Sequence, residues 1–164
     1  MKSYLKSVAA TAVMGAAMVT SAFAGDAASC KAVKFADVGW TDITATTAAT
    51  SLVLEALGYE TETKVLSVPV TYEGMSSGDV DVFLGNWMPT MESNIAAYRD
   101  AKTVDTVRAN LEGAKYTLAT NAKGAELGIK DFADIAAHAA DLGGKVYGIE
   151  AGNDVNKLIL DMIE

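Results

Sequence analysis

Two tryptophans are all that this 164-residue chain contains, and both follow a glycine at the end of an apolar run. "KFADVGWTD" carries Trp40 and "DVFLGNWMPT" carries Trp87. Tyr116 opens "YTLAT", and "YGIEAGND" runs into Gly152-Asn153-Asp154 at what reads as a helix start. In open α/β sheets, ligands bind in the crevice beyond the carboxyl ends of the strands. If these strand ends are neighbours, two indoles, a phenol, a carboxylate (Asp42) and an amide (Asn153) converge on one cleft. That set suits a quaternary ammonium, which has no N–H to donate and spreads its charge over methyl groups. Aromatic faces hold such a cation through the ring quadrupole, at roughly 0.5–2 kcal/mol per face. Asp42 would oppose the charge, and Asn153 would bond a polar tail. Each residue also has a plainer use. The tryptophans can serve as packing, Tyr116 as a strand residue, and Asp42 and Asn153 as helix N-caps.

Signals for catalysis are weak. His138, the single histidine, sits among alanines and aspartates in "DIAAHAAD". Cys30 has no histidine or second cysteine near it in sequence, so no zinc or thiol site is indicated. Asp79 and Asp81 flank Val80, a pattern that a turn entering a strand explains better than a metal pair. Nucleotide loops, dinucleotide glycine motifs and serine elbows do not occur, and no cofactor is implied.

The elements that must position these residues alternate between strand and helix, which argues for an α/β sheet with helical crossovers. "AVKFADV" reads as the first strand. Thr41 or Asp42 then caps a helix with a core stripe of Ile43, Thr47, Thr50, Leu54 and Leu57, which Gly58 ends. "YETETKV" alternates as a half-exposed strand. Pro69 to Gly78 holds a short helix and a turn, "DVDVFLGNW" a central strand, and Met91, Ile95 and Tyr98 one face of the next helix. "TVRANL", "KYTLATN" and "KVYGIE" read as further strands, Phe132 to Leu142 as a helix, and Asn153 as the opening of the last one.

At the amino end, Lys2 and Lys6 precede an apolar run from Val8 to Met18, and Ala22-Phe23-Ala24 fits a cleavage site. Residues 1–24 thus read as a secretory signal peptide, favoured over lipidation at Cys30. Residues 25–112 read as a first lobe and 113–164 as an incomplete second one. Helical spacing continues to Glu164 without a stop signal, so the sequence reads as the front part of a longer protein. Without Lys2 and Lys6, 11 basic residues stand against 21 acidic ones. Such an acidic exported chain suits neither nucleic acid nor an anionic membrane surface as a partner. A lone cysteine in an oxidising compartment is either a buried free thiol or one whose partner lies elsewhere.

The segments "FADVGWTDITATTA", "ETKVLSVPVTYEGM", "DVDVFLGNWMPTME", "GAKYTLATNAKGAELGIKDF" and "YGIEAGND" resemble the glycine betaine and choline substrate-binding family of bacterial ABC importers. The likeness runs from about Cys30 to the last residue. It implies a two-lobed, hinge-closing periplasmic binding protein of the type II kind, with no enzymatic activity, a monomeric state and an ABC permease of the inner membrane as partner. It also implies that Trp40, Trp87 and Tyr116 are walls of an aromatic box, Asp42 the acid near the ammonium and Asn153 the polar contact. A further aromatic wall would lie beyond Glu164, and a remote partner for Cys30 becomes plausible. Asp42 would repel the carboxylate of a betaine, which favours choline over glycine betaine. The rival class is an exported α/β enzyme acting on a small cation. A third reading is an osmosensing or chemoreceptor ligand domain.

Overall fold

The computed structural model describes residues 27–163, so the signal-peptide reading of residues 1–24 lies outside the described residues. A single turn of 3-10 helix, Ala28–Cys30, leads into β1, Ala32–Asp37. Then follow α1 (Thr41–Ala56), β2 (Glu60–Val65), α2 (Val68–Ser77), β3 (Val82–Phe83) and α3 (Glu92–Asp100). Three more helices complete the described chain: α4 (Ala122–Glu126), α5 (Phe132–Ala137) and α6 (Asp154–Ile163).

The sheet has the order β2-β1-β3 and is parallel throughout. β1 pairs with β2 from Ala32↔Glu60 to Asp37↔Val65, and with β3 at Phe35↔Val82 and Ala36↔Phe83. From β1 the chain steps outward to β2, then returns across β1 to β3. The order therefore reverses at β1, and the crevice beyond β1 and β3 is the topological switch point. Central placement explains the burial of β1, where Phe35 and Ala36 are closed off. Val38, Val68, Tyr72, Met91, Ile95 and Val104 form the core cluster on the helical layer, and Trp40 and Trp87 pack against its edge.

α1 was expected to be capped by Thr41 or Asp42, but it already begins at Thr41; its N-cap is Trp40, and no side chain caps it. Asp42 lies exposed in the first turn. Asp37 at the end of β1 instead ties the turn that leads into the helix. Its Oδ1 accepts the Gly39 N–H at 2.8 Å and its Oδ2 the Thr44 hydroxyl at 2.7 Å. Ile43 and Thr47 are buried, but the stripe then lifts off the sheet and Leu57 is 65% exposed. At the other end the Gly58 N–H reaches the Glu55 carbonyl and the Tyr59 N–H the Leu54 carbonyl. With Gly58 at φ 86°, this is a Schellman stop of the kind its sequence predicts.

The three later strand expectations fail. Thr106 to Leu111, Lys115 to Asn121 and Lys145 to Glu150 are irregular, with Val107 at 87% and Tyr147 at 86% exposure. A strand needs a neighbour for its N–H and C=O groups, and these segments find no ladder among the described residues. β3 is two residues long where a longer strand was expected, and α5 gives way to turns after Ala137. The short α4 was not foreseen, although Asn121 caps it by accepting the Gly124 N–H at 3.0 Å. No helix among the described residues is long and apolar enough to cross a membrane.

Candidate binding site

The exits of β1 and β3 bring the tryptophans to the switch point. After β1 the Asp37 hydrogen bonds fix the turn through Gly39 (φ 81°), so the next residue, Trp40, leaves at the head of α1. After β3 the buried Gly85 lets Phe83 and Ile43 close over the strand end. A Cβ there would lie 2.8 Å from the Phe83 ring and 3.0 Å from Ile43. Asn86 is then held by Tyr72, whose hydroxyl donates to its Oδ1 at 2.7 Å. Trp87 is anchored through its backbone: its N–H meets the Met91 sulfur at 3.2 Å, and its carbonyl accepts the Thr90 hydroxyl at 2.9 Å.

Both tryptophans meet the later part of the chain. Trp87 stacks on Tyr116 with centroids 5.0 Å apart and planes 25° from parallel. A cation held between two facing rings needs about 4–6 Å to each centroid, so this pair offers one joined aromatic surface rather than two opposing walls. The Trp40 indole N–H donates to Glu150 Oε1 at 2.9 Å, and Asn153 Nδ2 donates to the same oxygen at 2.8 Å. Partial burial works against the ionised Glu150. The hydrogen bonds from Asn153, from its own backbone and from Trp40 outweigh it and hold the carboxyl below the usual range.

Asn153 is buried and caps α6 as its sequence position predicts, with Oδ1 accepting the Val155 N–H at 2.9 Å. Asn156 fastens the preceding turn, its amide bonding the Ile149 N–H and the Ile149 and Glu150 carbonyls. Burial, followed by the negative charge of Asp154, pushes the Tyr116 phenol up to about 12. Thr90 opposes this through a hydrogen bond, while Glu150 and Asp42 add to it. Burial raises the Tyr72 phenol further, again with Asp154 as the leading charge.

The five residues singled out in the sequence thus form two pairs and an outlier. Trp87 meets Tyr116 directly, Trp40 meets Asn153 through Glu150, and Asp42 stands at the rim of a cleft of about 180 Å³ that Asn86, Trp87 and Met88 also line. Glu150, Asp154, Tyr72 and Asn86 were not singled out as site residues. Glu150 and Asp154 lie inside "YGIEAGND", but their roles depend on what the chain brings against them. Tyr72 offered the better signal, since a buried phenol requires a hydrogen-bond partner. The two aspartates weighed as a metal pair are structural: Asp81 accepts the Lys34 N–H at 2.8 Å and Asp79 the Ser77 hydroxyl at 3.0 Å. No group of three or more His, Cys, Asp or Glu among the described residues could hold a metal ion.

An uncharacterized protein, ORF1, of Chromohalobacter salexigens is 52% identical over 132 residues, covering 80% of this chain and 85% of its own. The structure is similar to an ABC-transporter choline binding protein in complex with choline, at a TM-score of 0.78 and 71% identity over 84% of this chain. It is also similar to an ABC-transporter choline binding protein in an unliganded semi-closed conformation, at a TM-score of 0.72 and 72% identity over 82% of the chain. In both cases the match covers 47% of the solved chain, so this chain spans about half their length. The parallel sheet and its helices are therefore those of a periplasmic binding protein fold, and the exported-enzyme reading gives way to a transport one. The model of the substrate binding domain of the ABC-type glycine betaine transport system matches residues 31–164, and the chain belongs to that family.

Proposed function

We propose that the protein is the periplasmic substrate-binding component of an ABC transporter, and that it captures choline and delivers it to an inner-membrane permease. The observation that carries this reading is the gathering of Trp40, Trp87 and Tyr116 with acidic groups at the switch point. Choline needs aromatic and methyl contact for its ammonium and one polar contact for its hydroxyl. The rings supply the first, and Asn153 supplies the second with the amide hydrogen not given to Glu150. Asp42 adds negative potential at the mouth.

Residues 25–112 would form the first lobe and 113–164 part of the second. Closure of the lobes over the ligand would give the permease a surface to read, which couples binding to delivery. The Trp40–Glu150 hydrogen bond, which joins residues 110 positions apart, is of the kind that such a closed state requires. Export follows from the reading of residues 1–24, and a monomer suffices because the site residues all come from one chain.

Glycine betaine is the second reading, supported by the family description. Its carboxylate would meet Asp42, Glu150 and Asp154, all acidic, so choline is the better fit. Calorimetry on the full-length mature protein with each ligand, repeated with Trp87→Ala, tests the assignment. Choline should bind more tightly than betaine, and the variant should lose about tenfold or more, from one lost ring face and its methyl contact. Tighter betaine binding would overturn the choice of ligand, and binding of neither would overturn the transport reading.

A further inference from the structure

Asp154 opens α6, directly after the buried cap Asn153. Both of its carboxylate oxygens are shut off from solvent and accept no hydrogen bond from any described group. Its turn is pressed against the start of α2: a side chain at Gly152 would meet Pro69 at 3.2–3.3 Å. Tyr72 stands one turn further along α2, and its phenol and that of Tyr116 both feel the Asp154 charge. The carboxylate is therefore enclosed beside the aromatic groups at the switch point.

Two of the nearest donors are turned to other partners. The Tyr72 hydroxyl donates to Asn86, and one Asn153 amide hydrogen goes to Glu150. Glu150, the other acid facing this space, shares its own oxygen between Trp40 and Asn153. The first turn of α6 offers Asp154 a favourable dipole but no hydrogen bond. A buried carboxylate without donors is costly unless an opposite charge sits beside it. Most cations would bring N–H or O–H donors to such a group. A quaternary ammonium brings none; aromatic surface holds it, and a negative charge enclosed beside that surface adds Coulomb attraction that water screens little. Asp42, by contrast, is exposed, where water and salt screen its attraction.

We infer that Asp154, rather than Asp42, is the carboxylate through which the site demands a positive charge on its ligand. This inference rests on the choline reading above.

The test compares choline with 3,3-dimethylbutan-1-ol, in which an uncharged tert-butyl group replaces trimethylammonium at nearly the same shape. Calorimetry, by competition for the weaker ligand, would use the full-length mature protein, Asp154→Asn and Asp42→Asn near 150 mM salt. Asp154→Asn should weaken choline by at least about 30-fold, as loss of one partner of a buried charge pair does, while dimethylbutanol changes by less than about threefold. Asp42→Asn should weaken choline by less than about fivefold, as screened exposed charges do. An unchanged choline-to-dimethylbutanol ratio in Asp154→Asn, or a ratio that collapses only in Asp42→Asn, overturns the inference and leaves the choline reading intact. Wild-type protein that binds no choline overturns both. If Asp154→Asn loses both ligands together with its melting transition, the same ratio is read in Asp154→Ser, which keeps a residue favoured at helix starts.

Discussion

Glu150 is the residue on which two site side chains depend at once. One oxygen receives both the Trp40 indole N–H and the Asn153 amide, so the carboxylate fixes an indole and an amide with a single charge. Charge-assisted hydrogen bonds are roughly twice as strong as neutral ones, and Glu150→Gln keeps the shape while removing the charge. On the proposed choline reading, choline affinity in Glu150→Gln should fall about three- to tenfold. The pH dependence has a definite sign. Because the folded carboxyl titrates below its unfolded value of about 4.3, its contribution is fully present above that pH. The contribution is lost as pH falls through the lower, folded value. Tryptophan emission should therefore stay constant from neutral pH to about 4.5 and change only below it, and Glu150→Gln should remove that acid step. A wild-type change centred near pH 6 would show that Glu150 does not hold Trp40.

Elements deliver these residues through small devices at their ends. Gly85 is buried with Phe83 and Ile43 too close for any Cβ, so the exit of β3 and the start of α1 seal against each other there. Gly85→Ala should destabilise the fold by about 1–3 kcal/mol, the range for overpacking, seen as a lowered melting temperature. An unchanged melting temperature would mean that this strand end yields easily. How far such devices can be read from sequence depends on how local they are. The β1 run, the Gly58 stop and the Asn153 cap were legible because each rule spans a few residues. The tie on the β1–α1 turn was not, since Asp37 sits in the strand and only the folded turn brings Gly39 and Thr44 to its carboxylate. Thr106 to Leu111 has the composition of a strand, but composition cannot supply a partner. For the site, the aromatic residues stood out because two tryptophans at two strand exits form a rare pattern. Glu150 and Asp154 did not, because a carboxylate in a loop usually only faces water.

At the scale of the whole molecule, order is concentrated around β1. Helices α2 and α3 share one core with Phe83 of β3, and Phe35 and Ala36 of β1 and Ile43 and Thr47 of α1 are buried too, whereas the chain from Asp105 to Asn121 has almost no buried side chain. Leu52 and Val53 on α1, Leu57 at its C-cap, and Val107, Leu111 and Tyr147 beyond the sheet leave much apolar surface exposed. Amide hydrogen exchange on the 164-residue chain should show this gradient, with Phe35 to Asp37 exchanging last and residues 105 to 120 almost at once. Uniform protection across both regions would contradict it. The bond between Trp40 and Glu150 adds a feature in time. Its partners are 110 residues apart, and at about 5–20 residues per second the ribosome needs on the order of 5–20 s to make the intervening chain. For that interval Trp40, among the first site residues synthesised, exists without the acid that orients it. That bond is thus a late product of a chain whose first strand is made early, and a nascent chain halted before Glu150 contains its sheet but leaves the Trp40 indole without this partner.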